Sequence, residues 1–104
     1  MLIVTTNDIA DRNIREVKGI VQGSTVKAKH VGRDIMAGFK TLVGGEIRGY
    51  SELMIEARKE ATERMVDEAT RLGANAIIGM RYQTAEVMEG AAEVIAYGTA
   101  VVIE

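Results

Sequence analysis

One histidine, His30, and no cysteine stand among the 104 residues, and these two counts bound the chemistry before any element is placed. Without a thiol there is no disulfide, no cysteine nucleophile and no thiolate metal site. A serine–histidine–carboxylate triad would have to run through His30, and a site built from several imidazoles within one chain is excluded. His30 lies between Lys29 and Val31 at the end of a β-prone run, a surface position that suits an exposed or capping residue better than a ligand. Glu86, Glu89 and Glu93 gather around a late turn and carry the oxygen chemistry of a hard-cation site. Their E-x-x-E-x-x-x-E spacing lacks the rigid loop of an EF-hand, so they are weak metal candidates.

Arg33-Asp34, Gly44-Gly45 and Arg81 interrupt apolar or glycine-rich stretches and are the candidates for a pocket or rim. Arg81 is the sharpest of them. A guanidinium in a strand with apolar neighbours needs a carboxylate or an interface to satisfy its fork of donors, and Asp34 is one partner to expect. No G-x-x-x-x-G-K-[ST] is present, and no G-x-G-x-x-G follows a strand. Gly44-Gly45 with Gly49 has a different spacing, which reads as a joint between two helices before it reads as an anion cradle. The six methionines fall among apolar or loop residues and read as gap-fillers. No nucleophile–base pair is visible, so the residues favour no enzyme and call for no cofactor.

The elements that must position these side chains follow from periodicity. Leu2 to Thr5 is a short β-prone run. Ile14 to Ala28 is a longer one, in which Gln22-Gly23-Ser24 predicts a bulge or a tight turn. Ile35, Phe39, Leu42 and Val43 mark one face of a short helix over Arg33 to Val43. From Tyr50 to Leu72 the residues Tyr50, Met54, Ala57, Ala61, Met65, Ala69 and Leu72 recur every three or four positions, with Glu52, Glu56, Glu60, Glu63 and Asp67 on the other side. That is a long amphipathic helix whose carboxylates face solvent, and Gly73 supplies its left-handed stop. Ile55 and Val66 flank the stripe and suit either the core or a neighbouring subunit. Ala76 to Thr84 and Val94 to Ile103 form a hairpin around Glu89 and Gly90.

The length fits one domain over residues 1–104. A hydrophobic fraction of 47% argues for a packed core, and a formal charge of −2 without a basic block argues against nucleic acid as a partner. No apolar run approaches the roughly 20 residues of a membrane-spanning helix. The start of the chain lacks the pattern of a secretory signal, so the expected location is cytoplasmic. The last strand carries apolar residues on both faces, Val94, Ala96, Ala100 and Val102 on one, and Ile95, Tyr97, Val101 and Ile103 on the other. The long helix covers one face, and a second copy of the chain is the expected cover for the other.

The residues Thr5-Thr6, Arg33-Asp34, Ala37-Gly38, Val43-Gly44-Gly45, Tyr50, Ala57-Arg58, Leu72 through Gly79, and Gly98 through Val101 follow in order along the chain, and the series resembles the YbjQ-like family. The resemblance implies an α+β protomer with a curved antiparallel sheet against one long helix plus a short one. It also implies assembly into a closed ring, a homopentamer. The family carries a heavy-metal-binding label, which this donor set does not fit inside one chain. The sequence therefore predicts a homo-oligomeric scaffold or ligand-binding domain, with a small ligand or a metal ion held between subunits as the alternative.

Overall fold

The computed structural model describes residues 1–28 and 45–104. The short helix expected over Arg33 to Val43 lies outside these residues, as do His30, Arg33, Asp34 and Gly44. Among the described residues five elements follow in order: β1 (Leu2–Ile3), β2 (Ile14–Ala28), α1 (Gly45–Arg71), β3 (Ala76–Met88) and β4 (Ala91–Ile103). The four strands make one sheet in the order β1-β3-β4-β2. The class is α+β, but the expected antiparallel sheet is corrected to a mixed one. β2 and β3 pair antiparallel with β4, whereas β1 runs parallel to β3, with Leu2 opposite Ala76 and Ile3 opposite Ile77. Only β3 and β4 are joined by a tight turn, and that turn dictates their antiparallel pairing. β1 reaches β3 across most of the chain and is free to add in the other sense.

Ile14 to Ala28 is a single strand with no turn at Gln22-Gly23-Ser24. The irregularities fall earlier, between Ile14 and Glu16 and between Val17 and Gly19. Gly23 has another reason to be glycine. A Cβ there would stand 2.3 Å from both the Ala61 carbonyl oxygen and the Met65 nitrogen, so the helix lies directly on this part of the strand. Val21, Gly23 and Thr25 are buried beneath α1, while Ile20, Gln22, Ser24 and Val26 alternate to the opposite, exposed face.

α1 buries the stripe that its periodicity announced. Ala57, Ala61, Met65 and Ala69 are fully buried, with Met54 and Val66 packed partly against them. Tyr50 and Leu72 end the stripe in solvent, and Ile55, the other flanking residue, is 57% exposed. The helix stops as expected. Gly73 takes φ +84°, its N–H donates to the Thr70 carbonyl at 3.0 Å, and the Ala74 N–H donates to the Ala69 carbonyl at 3.0 Å. This paired closure satisfies two carbonyls of the last turn, and Ala74 folds back onto the core.

A second, smaller core sits at one end of the sheet on the face away from α1. Ala76, Val101 and Ile103 are buried there against Ile9, Ile14 and Ile78. Part of the cover assigned in the sequence to another subunit therefore comes from the chain's own first fourteen residues. Asn75 fixes this end: its Nδ2 donates to the Ile103 carbonyl at 2.9 Å and its Oδ1 accepts from the Ile103 N–H at 2.7 Å. The side-chain amide thus adds one more rung to the β3–β4 ladder.

Candidate functional site

Among the described residues two places bring chemistry-bearing side chains together, and a third that the sequence offered does not. The first lies where α1 meets β2. Thr25 and Lys27 alternate with Gly23 on the helix side of the strand, and the backbone approach that Gly23 permits brings Glu60 within their reach. Lys27 Nζ pairs with Glu60 and lies 3.7 Å from Glu56. Thr25 Oγ1 donates to Glu60 Oε1 at 3.4 Å. Arg64, one turn on, lies 3.7 Å from the same carboxylate and donates to the Ser24 carbonyl at 2.6 Å. Glu60 is therefore a tie between helix and sheet rather than part of a wholly solvated face. The strand side of this network escaped sequence reading because helical spacing shows only partners on the same helix.

The hydrogen bond from Lys27 holds the Glu60 carboxyl below its ordinary 4.5, against a smaller opposing effect of desolvation. The reciprocal bond raises Lys27 above 10.5. A lowered carboxyl contributes stability that is present above pH 4.5 and is lost as pH falls through the folded-state value. A raised amine contributes stability that is present below pH 10.5 and is lost as pH rises through its own folded-state value. Thermal melts from about pH 6 down to about pH 3 should show the parent losing melting temperature at the acid end, with Glu60→Gln giving a shallower fall. Equal slopes for the two proteins would contradict the pairing.

The second place is an open cleft of about 720 Å³ lined by Thr5, Thr6, Asn7, Asp8, Ala10 and Arg81. A bulge builds it. The β3–β4 register shifts between Ile78 and Arg81, and Gly79 sits at φ +61°, a left-handed conformation that a side chain would strain. The displaced backbone turns toward the N-terminal segment. The Gly79 N–H donates to the Thr6 carbonyl at 2.8 Å, and the Met80 N–H donates to the Val4 carbonyl at 3.1 Å. Arg81 Nη1 then donates to the Thr5 and Met80 carbonyls at 2.9 and 2.8 Å. The fork is thus partly satisfied by backbone carbonyls, and Asp34, the partner expected from sequence, lies outside the described residues. Arg81 pairs across the sheet with Tyr97.

The third place is the far end of the hairpin, where Glu86, Glu89 and Glu93 do not converge. Glu86 pairs with Ala92 while Glu93 pairs with Ala85. Successive rungs point to opposite faces, so the two strand carboxylates lie on different sides of the sheet. Among the described residues no group of three histidine, cysteine, aspartate or glutamate side chains is placed to hold a metal ion. Gly45, a rim candidate in the sequence, is the first residue of α1. No helix of the described residues is long and apolar enough to cross a membrane.

The family model described as "Putative heavy-metal-binding" (YbjQ) matches residues 1–104. A UPF0145 protein of Halalkalibacterium halodurans is 62% identical over 104 residues, covering 100% of this chain and 98% of the relative. A UPF0145 protein of Thermotoga maritima is 54% identical with the same coverage. The chain belongs to the UPF0145 (YbjQ) family. A solved structure of a DUF74-family protein of unknown function from Pediococcus pentosaceus matches with a TM-score of 0.62 at 22% identity, covering 100% of this chain and 98% of that one, a likeness of fold. The residues of this UPF0145 chain do not fit a heavy-metal centre within one subunit. It has no thiolate and a single imidazole, and its clustered late carboxylates diverge.

Proposed function

We propose that this UPF0145 chain is a self-assembling domain, a homo-oligomeric scaffold or ligand-binding module whose bare sheet face is covered by copies of itself. The observation that carries the reading is the face opposite α1. Beyond the small N-terminal core it presents Ile20 at 78% exposure, Val26 at 55% and Tyr97 at 37%, with Ile95 beside them. The Arg81 cleft borders this face, so a neighbour seated on the face would help to wall it and give a small ligand a place between subunits. Five subunits in a closed ring is the number that the resemblance implies.

The family description favours a second reading, in which copies pool oxygen or imidazole donors around a metal ion. One experiment separates the two. Light scattering on the chromatographed protein at micromolar concentration should give a multimer whose mass is the same with and without a chelator. A monomer rejects self-assembly, and a multimer that falls apart in chelator supports the metal.

A further inference from the structure

We propose that the Arg81 cleft binds a small carboxylate with a hydrogen-bond donor on the adjacent carbon, a 2-hydroxy or 2-amino acid, its carboxylate on the Arg81 guanidinium and its donor on the Asp8 carboxylate. This rests on the ligand-binding side of the reading above and names the ligand class. Every group it uses belongs to one chain.

Where this chain pairs charges, they close on each other: Lys18 on Glu16, Lys27 on Glu56 and Glu60, and Arg64 on Glu60. Arg81 and Asp8 line one cleft, yet among the described residues no ion pair joins them. The backbone holds each in its place. Both hydrogens of Arg81 Nη1 are taken by the Thr5 and Met80 carbonyls, which straps the guanidinium to the wall that the Gly79 bulge builds. The segment carrying Asp8 is tied to the same bulge, because the Thr6 carbonyl accepts from the Gly79 N–H at 2.8 Å and the Val4 carbonyl from the Met80 N–H at 3.1 Å. Thr6 Oγ1 donates to the Asp8 carbonyl at 2.6 Å and fixes the segment locally. A cation and an anion anchored in one cleft without touching are complementary to a ligand of the reverse polarity.

The donors that Arg81 keeps in reserve select the anion. Among the described residues its hydrogen bonds use Nη1 alone, which leaves the edge formed by Nε and Nη2. The two N–H groups of that edge run parallel and match the two oxygens of a carboxylate. Asp8 selects the rest of the ligand. A phosphate would carry further negative charge toward its carboxylate, whereas a hydroxyl or an ammonium group donates to it. A hard cation would find one carboxylate and a guanidinium, too few oxygens and the wrong charge. The other side chains of the lining, those of Thr5, Thr6, Asn7 and Ala10, are uncharged, so one positive and one negative group set the electrostatics. The volume of about 720 Å³ is ample for a molecule of this size.

Propionate, lactate and alanine share a carbon skeleton and a carboxylate, and differ in bearing no donor, a hydroxyl or an ammonium group on the second carbon. Each is titrated into isotope-labelled protein, with the amide resonances of residues 5–8 and the Arg81 Nε–H as reporters. Lactate or alanine should bind with a Kd on the order of millimolar, at least about tenfold more tightly than propionate. Whichever of the two binds better tells a hydroxy acid from an amino acid, and inorganic phosphate should bind no better than propionate. Asp8→Ala should erase the preference over propionate. Arg81→Lys, which keeps the charge and loses the fork, should weaken all three carboxylates. Because Arg81 also straps Thr5, the deciding variant is Asp8→Ala, whose lost side chain is exposed and makes no hydrogen bond among the described residues. Equal affinity for the three carboxylates, a preference that survives Asp8→Ala, tighter binding of phosphate, or no shift at these reporters overturns the site. Light scattering on the same samples keeps the two readings apart. A multimer that takes none of these ligands leaves self-assembly standing without the site, and a monomer that takes them with the stated preference does the reverse.

Discussion

Gly23→Ala should melt far below the parent, because the added methyl has nowhere to go. Its position lies 2.3 Å from the Ala61 carbonyl oxygen, 2.3 Å from the Met65 nitrogen and 2.7 Å from Arg64 Cβ. The first two are helix backbone and cannot rotate aside. Relief requires α1 to lift from β2, which strips contact from the fully buried Val21, Ala57, Ala61 and Met65 together. Overpacking a well-filled site costs about 1–3 kcal/mol and sometimes more, and the rigidity of the obstacle places this substitution at about 3 kcal/mol or above. For a chain of this length that is a fall of roughly 12–20 °C in melting temperature. Ser24→Ala, the exposed neighbour, should stay within about 0.5 kcal/mol. Scanning calorimetry on the two variants checks the pair, and a Gly23→Ala melt within a few degrees of the parent would contradict the close approach.

The same position shows how a sequence misleads. A glycine between Gln22 and Ser24 predicts a bulge or a tight turn on local grounds, yet the structure needs it for a contact with residues about forty positions away. Propensity sees the chain and not what lies above it. α1, by contrast, was legible to within one residue at its end, because a 3.6-residue period and a left-handed stop at Gly73 are both local. Its start was not. Residues 45–49 carry glycine and charge, and the structure extends the helix through them to Gly45. The hairpin turn at Glu89 and Gly90 was legible for the same local reason. The parallel sense of β1 was not, since Leu2 and Ile3 carry no mark of the strand they join.

The candidate site was legible in part. Arg81 announced itself as a charge among apolar residues, and it does line the cleft. Its partners, the carbonyls of Thr5 and Met80, are backbone atoms that leave no trace in residue type. Glu86, Glu89 and Glu93 looked like a cluster because they are near in sequence, but strand alternation sends Glu86 and Glu93 apart. β4 does carry apolar residues on both faces, and α1 covers one of them. On the other face residues 9–14 cover one end, which the periodicity did not show, and the uncovered apolar side chains are concentrated around Ile20, Val26, Ile95 and Tyr97.

That concentration sets the second large effect. Ile20→Lys combined with Val26→Lys should leave the fold of the single chain intact and abolish assembly. Both side chains already meet solvent in the isolated subunit, at 78% and 55% exposure, so their replacement should change its intrinsic stability by no more than about 0.5 kcal/mol each. In an assembly that covers this face, two ammonium groups per subunit would be stripped of water, at a cost of several kcal/mol per ion unless each is paired. Every 1.4 kcal/mol is about a tenfold change in affinity, so even a partly relieved cost of about 3 kcal/mol weakens association roughly a hundredfold. Light scattering should then report a monomer at micromolar concentration with unchanged far-ultraviolet circular dichroism. Glu63→Lys, on the exposed side of α1, should leave the mass of the assembly unchanged. If the double-lysine variant keeps the parent's mass, the covering surface is not this one, and the contact has to be sought on the helix side, where Ile55 and Leu72 also stand in solvent.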